Sequence, residues 1–196
     1  MPFVIRSTIS QTFLDRVRAT PQKIGFTYKI QNEWKKITFR THYDDAKQIA
    51  CGLMNLGILP SDKVAILCTT RYEWSLCDIS IIGSRAVTIP IYPSNTAEDV
   101  AYILNHSEAK IVFVEDAKQL QKILNFRKAH PLPHLQKIIA INPAALAITL
   151  DDPSQSKDVL TLQALREIGK REDARDPARF DQNLSHAKPS DLVTIC

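Results

Sequence analysis

Residues 62–115 hold three short apolar runs, Lys63–Cys68, Ala86–Ile91 and Lys110–Glu115, separated by two amphipathic stretches. Continuous apolar, β-branched runs fit strands buried on both faces, and parallel neighbours need a crossover of helix length between them. A fourth unit follows, with a helix bearing Leu120, Ile123 and Leu124 and a strand over Lys137–Ile141. Repeated strand–helix–strand units with short links predict an α/β fold: an open, largely parallel twisted sheet with helices on both faces.

The lead-in, residues 1–60, reads as helix, hairpin and helix. Thr8 to Thr20 places Ile9, Phe13, Leu14 and Val17 on one face, and strands over Ile24–Ile30 and Trp34–Phe39 meet at Gln31-Asn32-Glu33. Thr41 with Asp44 predicts a capped start for a helix carrying Ala46, Ile49, Ala50, Leu53 and Met54, and Gly57 predicts its end. Thr96 with Asp99 and Asp116 with Gln119 mark two more helix starts. The repeated core spans 61–142. Beyond it the periodicity weakens, and 143–190 reads as an irregular, charged segment. Within that segment we expect a polar loop over Asp151–Asp158, one helix at Leu162, Leu165 and Ile168, and an exposed meander from Asp173 to Lys188. Residues 191–196 begin a new apolar strand, as though a larger domain continued.

Composition excludes several function classes. The net charge of +4 is mild, and between Arg166 and Asp181 five basic residues face five acidic ones, a solvated surface rather than a phosphate-binding stripe. No nucleic acid is expected as a partner. Cys51, Cys68, Cys77 and Cys196 lack C-x-x-C spacing and sit in apolar surroundings, which predicts buried, reduced thiols and a cytoplasmic location. The N-terminus carries Arg6, Asp15, Arg16 and Arg18 and lacks a signal-like apolar run. The apolar stretch 138–150 is broken at Asn142-Pro143 and is too short to be a transmembrane segment.

No P-loop or G-x-G-x-x-G pattern occurs, and no metal or catalytic residue is assigned. His130 and His134 are separated by prolines that disfavour a shared helical face. Two loops keep functional interest because each follows a strand and precedes a helix, the edge where open α/β sheets bind ligands. In Thr69–Trp74 the favoured reading is packing, with Trp74 in the core and Arg71 paired to Glu73 or to solvent. In Ile91–Thr96 two readings stand together: backbone amides with the Ser94 and Thr96 hydroxyls meeting an anion, or Thr96 simply capping a helix behind a turn fixed by Pro93.

These residues carry a resemblance. Asp62-Lys-Val-Ala-Ile66, Arg71-Tyr-Glu-Trp74, Ala86–Thr96 and Ala101-Tyr-Ile-Leu-Asn105 resemble the N-terminal part of AMP-forming acyl-CoA synthetases, nearest to the long-chain fatty-acid–CoA ligases; Trp34–Phe39 and Leu53–Gly57 fit the same pattern. The resemblance implies an N-terminal fragment of an enzyme using ATP, Mg²⁺, CoA and a fatty acid. In that family a Ser/Thr/Gly-rich phosphate loop, an acidic Mg²⁺ segment, a ribose-binding Asp and a C-terminal lysine do the chemistry. None is in this sequence, so the fragment itself is expected to be inactive. The strand Leu192–Cys196 matches the segment just before the phosphate loop. Tyr92, Pro93 and Ser94 fall where related synthetases border the CoA nucleotide with a Phe-Gly-Gly turn. Arg85 stands where relatives usually have a small residue, so a positive φ there would be strained. The resemblance leaves a homodimer and peripheral membrane contact as options. The alternatives are an amino-acid-activating adenylation domain and a non-catalytic module binding a nucleotide or a protein partner.

Overall fold

The computed structural model describes residues 7–149 and 157–195. Helix α1 (Ile9–Ala19) is capped by the Thr8 hydroxyl and leads to an antiparallel ribbon of β1 (Ile24–Ile30) and β2 (Glu33–Thr38). Gln31 and Asn32 both have positive φ (47° and 68°), as a two-residue turn matching the right-handed twist of its strands requires. Helix α2 (Phe39–Asn55) begins three residues earlier than expected. Its cap is Thr38, whose hydroxyl accepts the Thr41 amide, while Asp44 pairs with Arg40 one turn away. Gly57 ends the segment at φ 90°.

The second sheet contains β3 (Lys63–Leu67), β4 (Val87–Ile91), β5 (Ile111–Val114), β6 (Lys137–Ala140) and β7 (Val159–Thr161), in the order β4-β3-β5-β6-β7 and parallel throughout. The helices between them are α3 (Tyr72–Gly83), α4 (Ala97–His106) and α5 (Ala117–Ala129). Side chains alternate across the strands. Val64, Ile66 and Phe113 face α2 and α3, whereas Ala65, Leu67, Val112 and Val114 face α4 and α5. Both faces are therefore covered, and the strands are apolar on both sides.

Segment 143–190 is more ordered than its pattern suggests. It contains a 3₁₀ turn (Pro143–Thr149), the strand β7, helix α6 (Leu162–Arg175) and helix α7 (Arg179–Ser185). The expected meander is thus partly helix, with Phe180 and Leu184 fully buried. The charged run is not simply solvated either. Arg166 bonds Asp45 and Gln48, Lys47 pairs with Asp173 at 2.7 Å, and Tyr43 donates to Asp181 at 2.5 Å. Gly52 and Gly169 let α2 and α6 touch backbone to backbone: a β-carbon on Gly169 would fall 1.7 Å from the Gln48 carbonyl oxygen. The Asp151–Asp158 loop lies mostly outside the described residues, as does Cys196.

Candidate functional site

The chain runs outward from β3 to β4, then returns past β3 to β5. The loop after β3 therefore leaves toward α3 on one face, while the loops after β4 and β5 leave toward α4 and α5 on the other. That reversal opens a crevice at the carboxyl ends of the strands.

At this crevice Glu115, just past β5, reaches back to the β3 loop. It accepts the Thr69 amide at 2.8 Å, the Thr69 hydroxyl at 2.9 Å and Arg71 Nη1 at 3.4 Å. Arg71 Nε also donates to Glu73 at 2.6 Å. Burial alone would raise the Glu115 pKa, but the Thr69 donors and Arg71 outweigh it and hold the carboxyl below its ordinary range. Cys68, next to this network, is pushed up to about 12 by burial and by Glu115, so it is not a ready nucleophile. A cleft of about 310 Å³ lies over the loop, closed on its far side by Tyr28 and Ile30 of the ribbon. The Tyr28 and Tyr72 rings stack at 4.9 Å, and Tyr72 lies 3.3 Å from His42 Nδ1. Trp74 packs partly buried against the core. The packing reading of Thr69–Trp74 thus holds, with Glu115 as a partner that sequence reasoning missed. No local signal links residues 46 positions apart.

The turn after β4 is built differently. The Asn95 amide bonds the Tyr92 carbonyl at 3.0 Å, and Thr96 and Asp99 form the expected reciprocal cap. Lys122 Nζ donates to the carbonyls of Pro93 and Asn95, each at 2.7 Å, and Gln119 donates to Pro93 at 3.4 Å. Gripped by its carbonyls, the turn leaves Tyr92 77% exposed and Ser94 open to solvent. Tyr92, Pro93 and Ser94 therefore stand together at the carboxyl edge of the sheet.

The third element here is the stretch after Asp191. Thr88 of β4 donates to the Val193 carbonyl at 2.9 Å and accepts the Ile195 amide at 3.1 Å, so Thr194 pairs in parallel with Thr88. The Thr88 hydroxyl donates to the part-buried Asp78 at 2.7 Å; burial raises the Asp78 pKa, and that bond opposes it. Pro90 shares the parity of Thr88, so its missing amide falls on this outer side and costs no bond to β3. Three thiols, Cys51, Cys68 and Cys77, are free and buried. No three His, Cys, Asp or Glu side chains group as a metal site among the described residues.

The chain was compared with known proteins. A long-chain-fatty-acid–CoA ligase of Xenopus laevis is 30% identical over 189 residues, 96% of this chain and 24% of that protein. A ligase of the same description from Mycobacterium bovis is 29% identical over 148 residues, 74% of this chain and 25% of that protein. The chain spans about a quarter of the length of these relatives. Among solved structures, the adenylation domain of a carboxylate reductase from Mycobacterium chelonae superposes with a TM-score of 0.71 at 15% identity. That match covers 85% of this chain and 30% of the other. The N-terminal domain of FACL13 from Mycobacterium tuberculosis superposes at 0.61 with 23% identity, covering 74% of this chain and 36% of that one. The family model described as AMP-binding enzyme matches residues 13–196, which take in the crevice, the Tyr92–Ser94 turn and the bridge of Thr194 to Thr88. With the parallel sheet and its reversal of direction, this match establishes that the chain belongs to the AMP-binding enzyme family.

Proposed function

We propose that this chain supplies the first α/β layer of a fatty-acid–CoA ligase. In the first step a fatty-acid carboxylate attacks the α-phosphorus of ATP and displaces pyrophosphate. In the second the CoA thiol attacks the acyl-adenylate carbonyl and displaces AMP. The observation that carries this reading is the 30% identity to a long-chain-fatty-acid–CoA ligase across 96% of the chain.

Such chemistry depends on placing reactants and balancing phosphate charge. Tyr92, Pro93 and Ser94 would border the CoA nucleotide: the exposed Tyr92 ring offers a stacking face, Ser94 offers a hydroxyl, and Lys122 fixes the backbone behind them. Mg²⁺ would arrive with the ATP phosphates and be held elsewhere in the enzyme. The strand at Val193–Ile195 would lead into the phosphate-binding loop. The segment itself carries no glycine-rich loop and is inactive alone. Among the described residues no helix is long and apolar enough to cross a membrane. The buried thiols suit a reducing, cytoplasmic setting.

A segment exchange tests the reading. Residues 13–196 replace the matching quarter of a long-chain fatty-acid–CoA ligase, and ATP–pyrophosphate exchange and acyl-CoA formation are measured with palmitate. Both activities are expected in the exchanged enzyme and neither in the 196-residue chain. A folded exchange product that adenylates only amino acids, or nothing, sinks the proposal.

A further inference from the structure

Arg85 occupies the link between α3 and β4 with φ 60°, the left-handed region that favours glycine. Strain of this kind is not by itself a sign of function. Glu108 sits in the same conformation (φ 56°) at the link between α4 and β5, exposed to solvent. The two differ in what the side chain does. Arg85 folds back, half-buried, and its Nη2 donates to Asp191 Oδ2 at 3.1 Å. Its Nε is buried without a hydrogen-bond partner, a penalty that an exposed arginine would escape.

Asp191 is also tied to its own turn. The same Oδ2 accepts the Lys188 amide at 3.0 Å, and the Asp191 amide donates to the Lys188 carbonyl at 2.9 Å. Two residues later Val193 meets Thr88 on the outer edge of β4. The Arg85 backbone is fixed as well, its carbonyl accepting the Ser61 amide at 2.8 Å. One residue thus joins the start of β4 to the turn that delivers the strand beside it.

We propose that Arg85 is a positioning residue: its guanidinium clamps the Lys188–Asp191 turn and so sets the register in which Val193–Ile195 joins β4. The functional consequence rests on the ligase reading, in which this strand leads to the phosphate loop. The clamp itself does not depend on that reading. A glycine would relieve the backbone strain at position 85 and abolish the clamp, so relief of strain and loss of position can be separated.

The test is amide hydrogen exchange on the 196-residue chain, read at Thr88 and Ile195, beside its thermal midpoint. Arg85→Gly is expected to hold or raise the midpoint while speeding exchange at Ile195 and Thr88 roughly three- to ten-fold, the range of a partly exposed ion pair with local opening. Glu108→Gly relieves the same strain, raises the midpoint and leaves both amides protected. Arg85→Lys restores part of the protection. Unchanged exchange at Ile195 in Arg85→Gly overturns the proposal, as does equal acceleration in Glu108→Gly. A uniform loss of protection through β3 and β5 overturns it too, because Arg85 would then support the whole fold. Failure of ATP–pyrophosphate exchange in the segment-exchanged enzyme counts against the ligase reading and leaves the clamp standing.

Discussion

The loops after β3 and β4 leave the same edge of one sheet and are held in opposite ways. After β3, polar side chains are consumed internally: the Thr69 hydroxyl goes to Glu115, and Arg71 divides between Glu115 and Glu73. After β4, the backbone is held from behind, with Lys122 on the carbonyls of Pro93 and Asn95, and Tyr92 and Ser94 point outward. A loop whose side chains are spent on one another serves the fold. A loop gripped by its carbonyls keeps its side chains available for a ligand.

The largest effect should come from the support of the first loop. His42 is buried, meets Tyr72 at the start of α3, and has its pKa lowered by burial to about 4. The unfolded chain, with imidazole near 6.5, takes its proton first, so stability falls as pH drops from about 6.5 toward 4. The full loss is about 3 kcal/mol by linkage. Chemical denaturation across that range should show the slope in the native chain and a flatter one in His42→Leu; equal slopes would remove His42 as the cause. Next in size, Glu115→Ala strands the Thr69 amide and hydroxyl and leaves Arg71 with one partner. A loss of about 1–3 kcal/mol is expected, lowering Tm by about 3–8 °C. Because the folded Glu115 pKa is lowered, this difference is present above the unfolded carboxyl pKa and fades as pH falls through the folded one.

Lys122→Met should cost about 1–2 kcal/mol through two lost charge-assisted bonds. Its signature is local, with proteolytic cleavage or fast exchange confined to Tyr92–Asn95. Damage spread through α5 instead would show that Lys122 supports the helix rather than the turn. Smallest in stability is Tyr92→Ala, within about 0.5 kcal/mol because the ring is exposed. In the segment-exchanged ligase the same change should raise KM for CoA and leave ATP–pyrophosphate exchange alone. Loss of adenylation there would move Tyr92 from the second step to the first.

Legibility followed the range of the interactions. Thr96 with Asp99, Asp116 with Gln119 and the stop at Gly57 act within a few residues, and all three stand in the structure as the pattern predicts. The start of α2 moved because Thr38 and Thr41 both offer a hydroxyl, and the ribbon that ends at Thr38 decided between them. Helix α7 was illegible: seven residues with two buried apolar side chains hold too little periodicity, and Phe180 is buried by distant partners that include Tyr43, Ala50 and Gly83. Strand β7, three residues long, is a strand because β6 lies beside it. The turn at Tyr92–Asn95 was legible as a strand-to-helix link, but Lys122, which holds the Pro93 and Asn95 carbonyls, lies 29 and 27 residues from them.

By itself the sequence determined the alternating parallel sheet and the caps at Thr96 and Asp116, because hydrophobic period and capping chemistry act within a few residues, while the family rested on the resemblance of stretches such as Ala86–Thr96. The resemblance also marked Arg85 as a residue that a positive φ would strain, and the structure places it at φ 60°. Only the tertiary structure decided what that strain accompanies, a guanidinium reaching Asp191 across 106 positions of chain. It likewise decided which loop at the sheet edge is spent on the fold and which is left free. Those outcomes hang on long-range hydrogen bonds, and their partners meet only after the strands have set their order.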